Sequence, residues 1–293
     1  MVVYQLRVAN CFLGLTAMLL VVTGCIHDPS QYESPVSVED DAGADEADAT
    51  SEPDGAVESD ASFADTCASP TEEEARSSDG LIALYTFIEG DGGVVQDRSG
   101  HSDRLDLAFS GDVNWGDDCD CVEFDGGKLS HDNPQRLYDA ISGGSQTFTM
   151  EAWVKSADLS QSGPARIVSL SDGTSDRNFT LGQREGQIEI RFRHAESDDS
   201  GYPYLRADDA ISEELDHYVV TFSDGELRLY RNGALLANEE RSEDLRNWDD
   251  GYPLLVGNES SDNRPWRGHV YLVSIYERAL SVDEITDHFE VGP

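Results

Sequence analysis

The sequence has few positive charges and few cysteines. Its 293 residues include 20 lysines and arginines against 59 aspartates and glutamates, a formal net charge of −39, and only Lys128 and Lys155 are lysines. Nucleic-acid binding depends on basic side chains that neutralise phosphates, so this composition excludes nucleic acid as a natural partner. The few cysteines and histidines do not supply the four spaced ligands of a zinc site. Such a charge balance is typical of a highly soluble extracellular protein or of one from a salty habitat.

The N-terminus has the pattern of an exported protein. Arg7 precedes an apolar run over residues 8–22, which is short for a membrane span but suits the hydrophobic part of a signal peptide. The run ends in Val-Thr-Gly-Cys, which resembles the lipobox of bacterial lipoproteins. The resemblance implies a lipoprotein signal peptide over residues 1–25 and lipidation of Cys25; an ordinary signal peptide with a chance cysteine is the alternative. Because Ile26 is not the aspartate that retains such proteins at the inner membrane, we predict a cell-envelope location at the outer membrane.

Residues 26–78 form an acidic segment with almost nothing apolar to bury. They contain 16 aspartates and glutamates, and Arg76 is the basic residue among them. Such a segment cannot offset its own ordering entropy, so we predict a disordered tether. As a flexible coil it would span roughly 40 Å, and self-repulsion would extend it further.

Strand patterns begin at residue 79 and continue to the end of the chain. In residues 187–193 the apolar side chains Ile188, Ile190 and Phe192 alternate with charged ones, so they should face a core while Glu189 faces outward. Many short runs of this kind predict an all-β fold. We expect an antiparallel two-sheet jelly-roll sandwich over residues 79–293.

Turn and cap residues support the same architecture. Asp224-Gly225 and Asn232-Gly233 are dipeptides suited to two-residue hairpin turns, because both positions need positive φ angles. Ser281 followed by Glu284 has the capping-box pattern. The sequence therefore predicts a short C-terminal helix.

Several motifs occur in the order that they have in laminin-G-like jelly-roll domains. They are LIALYTF at 81–87, FTMEAWV at 148–154, HYVVTF at 217–222 with LRLYRNG at 227–233, and GHVYLVSIY at 268–276 followed by RALS at 278–281. The chain thus resembles this branch of the concanavalin A-like lectin/glucanase fold. The resemblance implies binding more often than catalysis and does not fix a ligand.

The stretch VEFD contains an acid pair that two known sites on this fold would use. Glu123 and Asp125 resemble the first ligands of the legume-lectin metal site, but that site needs an asparagine where Leu129 stands. They also resemble the start of the E-x-D-x-E or E-x-D-x-x-E signature of laminarinase-type hydrolases. Gly127 and Lys128 occupy the places of its last acid, whereas retaining hydrolysis needs two carboxyls about 5–5.5 Å apart. We therefore predict no catalytic residues and assign Asp125 to a turn.

Three cysteines remain for the exported domain, namely Cys67, Cys119 and Cys121. An export compartment favours oxidation. A disulfide from Cys67 to Cys119 or Cys121 would fix the start of the domain, whereas a bond between Cys119 and Cys121 would strain a short ring. The sequence does not select the partner of Cys67.

Calcium braces many jelly-roll domains, and the resemblance makes Asp91, Asp97 and Asp103 candidate ligands. The family's closing strand usually reads G-x-I-D, and Tyr271 stands at the place of that aspartate. We therefore assign no cofactor and keep calcium as an open alternative.

Aromatic residues in the long loops are the candidates for ligand binding. Tyr204 and Trp248 lie in stretches rich in Asp, Gly and Pro, so we expect exposed rings on which sugars stack; the alternative is that they cover the edge of the sandwich. Trp266 is expected in the core. The net charge favours a neutral polysaccharide or a basic patch on a surface protein over an anionic ligand.

We therefore predict a membrane-associated, lipid-anchored protein that displays a non-catalytic lectin-like domain. A purely structural envelope module is the main alternative, and an enzyme on the same fold is the third.

Overall fold

The computed structural model describes residues 76–117 and 120–293. The predicted signal peptide with Cys25 lies outside these residues, and so do Cys67, Cys119 and nearly all of the predicted tether. Within the described part of the chain, no helix is long and apolar enough to cross a membrane.

Sixteen strands, numbered along the chain, form two eight-stranded antiparallel sheets. The first sheet contains β1 (Leu81–Tyr85), β4 (Val113–Trp115), β5 (Val122–Asp125), β7 (Phe148–Ser156), β12 (Leu215–Ser223), β13 (Glu226–Arg231), β14 (Ala234–Glu240) and β16 (Arg267–Tyr276). Its spatial order is β14-β13-β12-β7-β16-β5-β4, and β1 also pairs with β16.

The second sheet contains β2 (Val94–Val95), β3 (Leu107–Ser110), β6 (Lys128–His131), β8 (Ala165–Ser171), β9 (Arg177–Arg184), β10 (Gln187–Phe192), β11 (Leu205–Ala207) and β15 (Leu254–Val256). Its spatial order is β11-β10-β9-β8-β15-β6-β3-β2. The two sheets pack as a sandwich, which confirms the predicted fold class.

The core lies between the sheets and follows the period of two that the sequence shows. Ile188, Ile190 and Phe192 on β10 are buried in it, as predicted. Trp266 is fully buried and its indole nitrogen donates to Gln183 Oε1 at 2.8 Å, so its expected core position is confirmed. Large apolar side chains from both inner faces stabilise a sandwich mainly through the area they remove from water.

The hairpin turns and the terminal helix form where the sequence predicts them. Asp224 and Gly225 join β12 to β13 with φ angles of 51° and 73°, and Asn232 and Gly233 join β13 to β14 with 51° and 77°. Helix α2 (Val282–Val291) begins after Ser281, and both hydrogen bonds of the capping box with Glu284 are present. The structure adds a short helix, α1 (Gln135–Ala140), that continues into a π-helical turn; it has no side-chain N-cap, so the sequence carries no start signal for it.

Helix α2 covers a buried carboxylate on the first sheet. Glu151 of β7 is fully buried and accepts hydrogen bonds from His217 Nε2 at 2.8 Å and His288 Nδ1 at 3.1 Å. Ser274 Oγ donates to it at 2.7 Å, and Arg76 forms an ion pair with it. Burial acts to raise the pKa of Glu151, but Arg76 and the two histidines hold that pKa well below its ordinary value.

The chain ahead of β1 takes part in this packing. The Arg76 guanidinium also donates to the carbonyl of Gly292, and the Ser77 amide donates to His288 Nε2 at 3.1 Å. Residues 76–78, assigned to the tether from composition, therefore lie against the sandwich, because the tether's single basic residue finds a buried counter-charge.

Candidate ligand-binding site

The outer face of the second sheet carries rows of polar side chains across β8, β9, β10 and β11. Cross-strand partners share a face of a sheet. One row runs from Arg166 through Gly182 and Glu189 to Arg206. The next runs from Ser169 through Thr180 to Arg191. Strand alternation that sends the apolar residues of β10 into the core therefore sends arginines and Glu189 to the opposite face.

Glu189 lies on that outward face, as predicted, but it is fully buried there. Its carboxylate accepts from Arg206 Nε at 2.7 Å and Arg184 Nε at 3.3 Å, and it also pairs with Arg191. Burial acts to raise the pKa of Glu189, but the arginines outweigh it and hold the pKa below its ordinary value. Glu189 is thus an ionised anchor for three arginines, and a low pKa makes it a poor proton donor.

Tyr204 lies between two of these arginines. The guanidinium carbons of Arg206 and Arg191 are 4.3 Å and 4.7 Å from the centre of its ring. The ring of Tyr202 meets Tyr204 edge-on at 5.6 Å, and Tyr202 is 58% exposed. Cation–π contacts fix the orientation of Tyr204, and the pair presents aromatic surface beside positive charge. Sequence reasoning found Tyr204 and did not select Tyr202.

The loop that carries the two tyrosines is held by a short hydrogen-bond network. Asp198 Oδ1 accepts from the amides of Ser200 at 2.9 Å and Tyr202 at 3.0 Å. The Arg177 amide donates to the carbonyl of Asp199 at 3.0 Å, which fastens the loop to β9. The aromatic pair is therefore presented from an ordered loop on a rigid sheet, the usual arrangement of binding residues.

Trp248 does not belong to this surface, and the expectation that its ring is exposed is wrong. Trp248 is 4% exposed, its indole nitrogen donates to the carbonyl of Arg193 at 2.7 Å, and its ring lies 5.8 Å from that of Phe148. A polar loop sequence suggested exposure, but long-range packing satisfies the indole N–H and buries the ring. A ring in that position cannot stack on a sugar.

Two further arginines on this side of the sheet were missed by sequence reasoning. Arg166 and Arg177 are both fully buried. Burial, together with the positive charges of neighbouring arginines, lowers the pKa of Arg166 to about 9 and that of Arg177 to about 10. Both remain charged at neutral pH. The available signal was an arginine at or near the start of each of two strands, β8 and β9, whose other residues are nearly all buried.

The calcium candidates find a different partner. Asp97 Oδ2 accepts from Arg136 Nη2 at 2.5 Å, and Asp103 Oδ1 accepts from Arg136 Nη1 at 2.9 Å. Asp97 Oδ1 also accepts from the amides of Leu84 and Ser99. Burial acts to raise the pKa of Asp97, but hydrogen bonds from Ser99, Leu105 and Arg136 lower it. A guanidinium thus stands between two of the proposed ligands, so they do not form the proposed calcium site.

The third candidate, Asp91, is exposed and has no part in this arrangement. Among residues 76–117 and 120–293 no group of three or more His, Cys, Asp or Glu side chains is placed to hold a metal ion.

The acid pair of β5 lies away from the candidate surface. Glu123 and Asp125 are exposed on the outer face of the first sheet, and Asp125 pairs with Arg267 at 2.9 Å. Two surface clefts, of about 300 Å³ beside Arg136 and about 430 Å³ beside Phe222, are lined by other residues. Cys121, just ahead of β5, is fully buried and disulfide-bonded. Because Cys67 and Cys119 lie outside the described residues, the predicted pairing of Cys67 stays a prediction.

Comparisons with known proteins agree with this architecture. A family model described as the concanavalin A-like lectin/glucanases superfamily, a laminin G model, matches residues 129–286. No curated protein matches the sequence.

Several solved structures share the fold at low sequence identity. The binding domain of botulinum neurotoxin DC in complex with rat synaptotagmin II has a TM-score of 0.58 and 15% identity, over 73% of this chain and 52% of that one. The receptor binding domain of the botulinum neurotoxin C/D mosaic serotype has a TM-score of 0.58 and 21% identity over the same shares. The DC binding domain in complex with SialylT has a TM-score of 0.56 and 13% identity, again over 73% and 52%. This chain therefore spans about half the length of these structures, and the likeness concerns the fold alone.

Proposed function

The chain belongs to the concanavalin A-like lectin/glucanases superfamily, and we propose that its sandwich is a non-catalytic binding domain that recognises a glycan or a surface protein. The observation that carries the proposal is the pair of rings at Tyr202 and Tyr204 on the outer face of the second sheet. One ring is exposed and the other is held between Arg191 and Arg206. Aromatic and arginine side chains fixed in this way are the residues that contribute most to binding surfaces.

The structural relatives are consistent with this assignment. The solved structures described above are toxin binding domains, one of them in complex with synaptotagmin and one with SialylT. Both a protein and a glycan are therefore reasonable partner classes for a domain of this shape. The aromatic pair favours a glycan, because sugar rings stack on tyrosine faces while the flanking arginines donate to hydroxyls or acidic groups.

The N-terminal pattern supports a role at the cell envelope. We propose that Cys25 is lipidated and that the acidic segment after it carries the domain away from the outer membrane. Many anchored copies on one surface would convert weak single-site binding into useful avidity. Changing Cys25 to Ser should release the protein from membranes after detergent-free washing, and an unchanged membrane fraction would contradict the anchor.

The absence of catalysis is part of the proposal. Glu189 holds three arginines on the candidate surface, whereas Glu123 and Asp125 are exposed on the other sheet. The competing function is an enzyme, and it makes a distinct prediction. Release of reducing sugar from a β-glucan, lost on changing Glu123 to Gln, would replace binding with hydrolysis as the function.

A glycan-array screen of the purified full chain tests the proposal directly. For any glycan that binds, changing Tyr202 and Tyr204 to Ala should weaken binding about fivefold or more, corresponding to about 1 kcal/mol or more for such contacts. The matched control is Leu235→Ala, because Leu235 is 53% exposed on β14 of the other sheet. Equal binding by the parent and the double variant would place the ligand elsewhere. No binding on the glycan array or to a panel of surface proteins would favour the purely structural alternative.

A further inference from the structure

Arg166 and Arg177 carry hydrogen-bond donors that no described residue accepts. Arg166 Nη1 donates to the carbonyl of Pro164 at 3.0 Å, and Arg177 Nη2 donates to that of Thr174. The Nε and Nη2 atoms of Arg166 and the Nε and Nη1 atoms of Arg177 are buried and have no partner within the described part of the chain. Both side chains have 0% exposure. Buried charged donors left without acceptors are rare, because their lost hydration is not compensated.

The nearest acids do not supply the missing acceptors. Glu259 is fully buried and its charge acts on both arginines, yet among the described residues it forms no ion pair with either. One of its oxygens accepts from Ser261 Oγ, and the other has no partner there. Glu189 also acts on Arg177, but it already pairs with three other arginines.

The remaining neighbours add positive charge and one more unused hydroxyl. Arg191 and Arg264 each act to lower the pKa of both buried arginines. Thr180 lies opposite Ser169 on β8 and Arg191 on β10, and its Oγ1 is buried without a partner in residues 76–117 and 120–293. This part of the outer face is therefore rich in donors and positive charge, although the whole chain is strongly acidic.

We propose that Arg166 and Arg177 bind a small oxyanion on the outer face of the second sheet. A planar guanidinium fork matches the oxygens of a carboxylate, a sulfate or a phosphate, and four nitrogen donors without a partner in the described residues suit such an ion. Because both side chains are enclosed, the group that binds is no larger than one such ion or the acidic end of a larger ligand. The site uses other residues than the tyrosine surface, but the two are neighbours. Arg191 contacts Tyr204, and its positive charge also lowers the pKa of both buried arginines.

Anion binding should stabilise the folded chain in proportion to occupancy. In chloride buffer, titrating sulfate, phosphate or acetate into the purified full chain should raise Tm along a saturating curve. The rise should reach roughly 5 °C or more once the free anion exceeds its Kd about 100-fold. General salt effects of sulfate continue to grow with concentration and do not saturate. Calorimetric titration of the same anions should give a finite stoichiometry near one per chain.

The variants assign the effect to these residues. Arg166→Met and Arg177→Met should each abolish the saturating response, and each should match or exceed the parent's Tm in chloride, because an apolar side chain replaces a buried charge. Arg246→Met is the matched control, since Arg246 is exposed and pairs only locally with Asp244; it should respond as the parent does. A saturating response retained by both buried-site variants would overturn the proposal.

Two further arms cover variants that do not fold and larger ligands. If the Met variants fail to fold, Glu259→Gln gives the decision: it removes a competing carboxylate, so it should tighten anion binding. If only the Glu259→Gln variant gives a saturating rise in Tm and the parent gives none, Glu259 is itself the partner of the two arginines. The proposal then fails. Glucuronate compared with methyl glucoside distinguishes a free anion from an acidic group on a sugar. If glucuronate binds but sulfate, acetate and methyl glucoside do not, the oxyanion belongs to a sugar. If none of these anions changes the Tm of the parent or of the Glu259→Gln variant, the oxyanion site does not exist. That outcome does not bear on the tyrosine surface.

Discussion

Replacing Glu151 by glutamine should destabilise the domain strongly. Its carboxylate is fully buried and receives hydrogen bonds or ion pairs from Arg76, His217, Ser274 and His288. The amide that replaces it carries no negative charge to pair with the Arg76 guanidinium, which is only 10% exposed. One carboxylate oxygen also becomes an NH₂ group, which donates hydrogen bonds and therefore faces other donors. Removing one partner of a buried ion pair costs about 3–5 kcal/mol.

Urea unfolding of the parent and the variant measures this cost directly. A loss of about 3–5 kcal/mol corresponds to a fall in Tm of roughly 6–20 °C for a domain of this size. Glu226→Gln is the matched control, because Glu226 pairs with Arg228 while both side chains are 32% exposed. That change should cost no more than about 1 kcal/mol.

The same cluster makes stability depend on pH. Burial lowers the pKa of His217, although its contact with Glu151 opposes the shift. Its Nε2 faces the carboxylate and its Nδ1 has no partner in the described residues, as expected for a neutral ring. As pH falls, a histidine that is held neutral in the folded state is protonated at a higher pH in the unfolded state. The free energy of unfolding should therefore decrease below about pH 6.5, by at most about 1.4 kcal/mol per pH unit.

His194, whose pKa is also lowered by burial, should add to the same decline. The pKa of Glu151 is depressed, so its stabilisation is complete above its unfolded value near 4.3 and is lost as pH falls through its folded pKa. His217→Gln should therefore flatten the decline that starts near pH 6.5, and Glu151→Gln should remove the decline that starts near pH 4.3. Equal unfolding free energies for Glu151→Gln and Glu226→Gln would refute the claim that this buried cluster fastens α2 and the segment at Arg76 to the sheet.

Three further predictions concern Trp248, the calcium candidates and the cysteines. Trp248→Ala should cost about 3–5 kcal/mol in urea unfolding, as expected for a buried ring, while Tyr202→Ala should stay within about 0.5 kcal/mol; similar costs for both would contradict the burial of Trp248. Arg136→Met should lower Tm because it leaves Asp97 buried without its cation, and millimolar calcium should leave the parent's Tm unchanged; a calcium-dependent rise in the parent would restore the metal site. Non-reducing peptide mapping should find Cys67 in a disulfide with one of the two cysteines ahead of β5, a bond that closes a loop of about 50 residues and is worth about 4 kcal/mol in the chain-entropy model; a free Cys67 thiol would exclude it.

Local sequence patterns were sufficient to predict the sandwich fold. The alternation around Ile190 placed β10 in the core, and Asn232-Gly233 fixed a hairpin because both residues tolerate positive φ. Ser281 with Glu284 located the first residue of α2, since the capping box is itself a local hydrogen-bond pattern.

The candidate site depended on contacts that no local pattern encodes. Trp248 lies in a polar stretch, and only the distant Phe148 ring and Arg193 carbonyl explain its burial. Asp97 has the composition of a metal ligand, but Arg136, 39 residues away, occupies that place. The alternation of β10 correctly predicted that Glu189 lies on the outer face of the second sheet. It did not predict that arginines and a loop cover that face and bury the carboxylate. Sequence periodicity predicts which sheet face a side chain joins, but not what covers that face.

The net charge of the chain does not by itself describe the charge near the candidate surface. The value of −39 counts every acidic residue of the chain, and 16 of them lie in residues 26–78, ahead of the first strand. Exposed charges more than about 10 Å from a site are largely screened at physiological salt, so the charges near a site count for more than the total of the chain. On the outer face of the second sheet, Arg166, Arg177 and Arg191 share the local field with the carboxylates of Glu189 and Glu259, and burial strengthens these interactions by removing water. These side chains support the proposed oxyanion site, and the preference for a neutral partner that follows from the total charge stays a prediction.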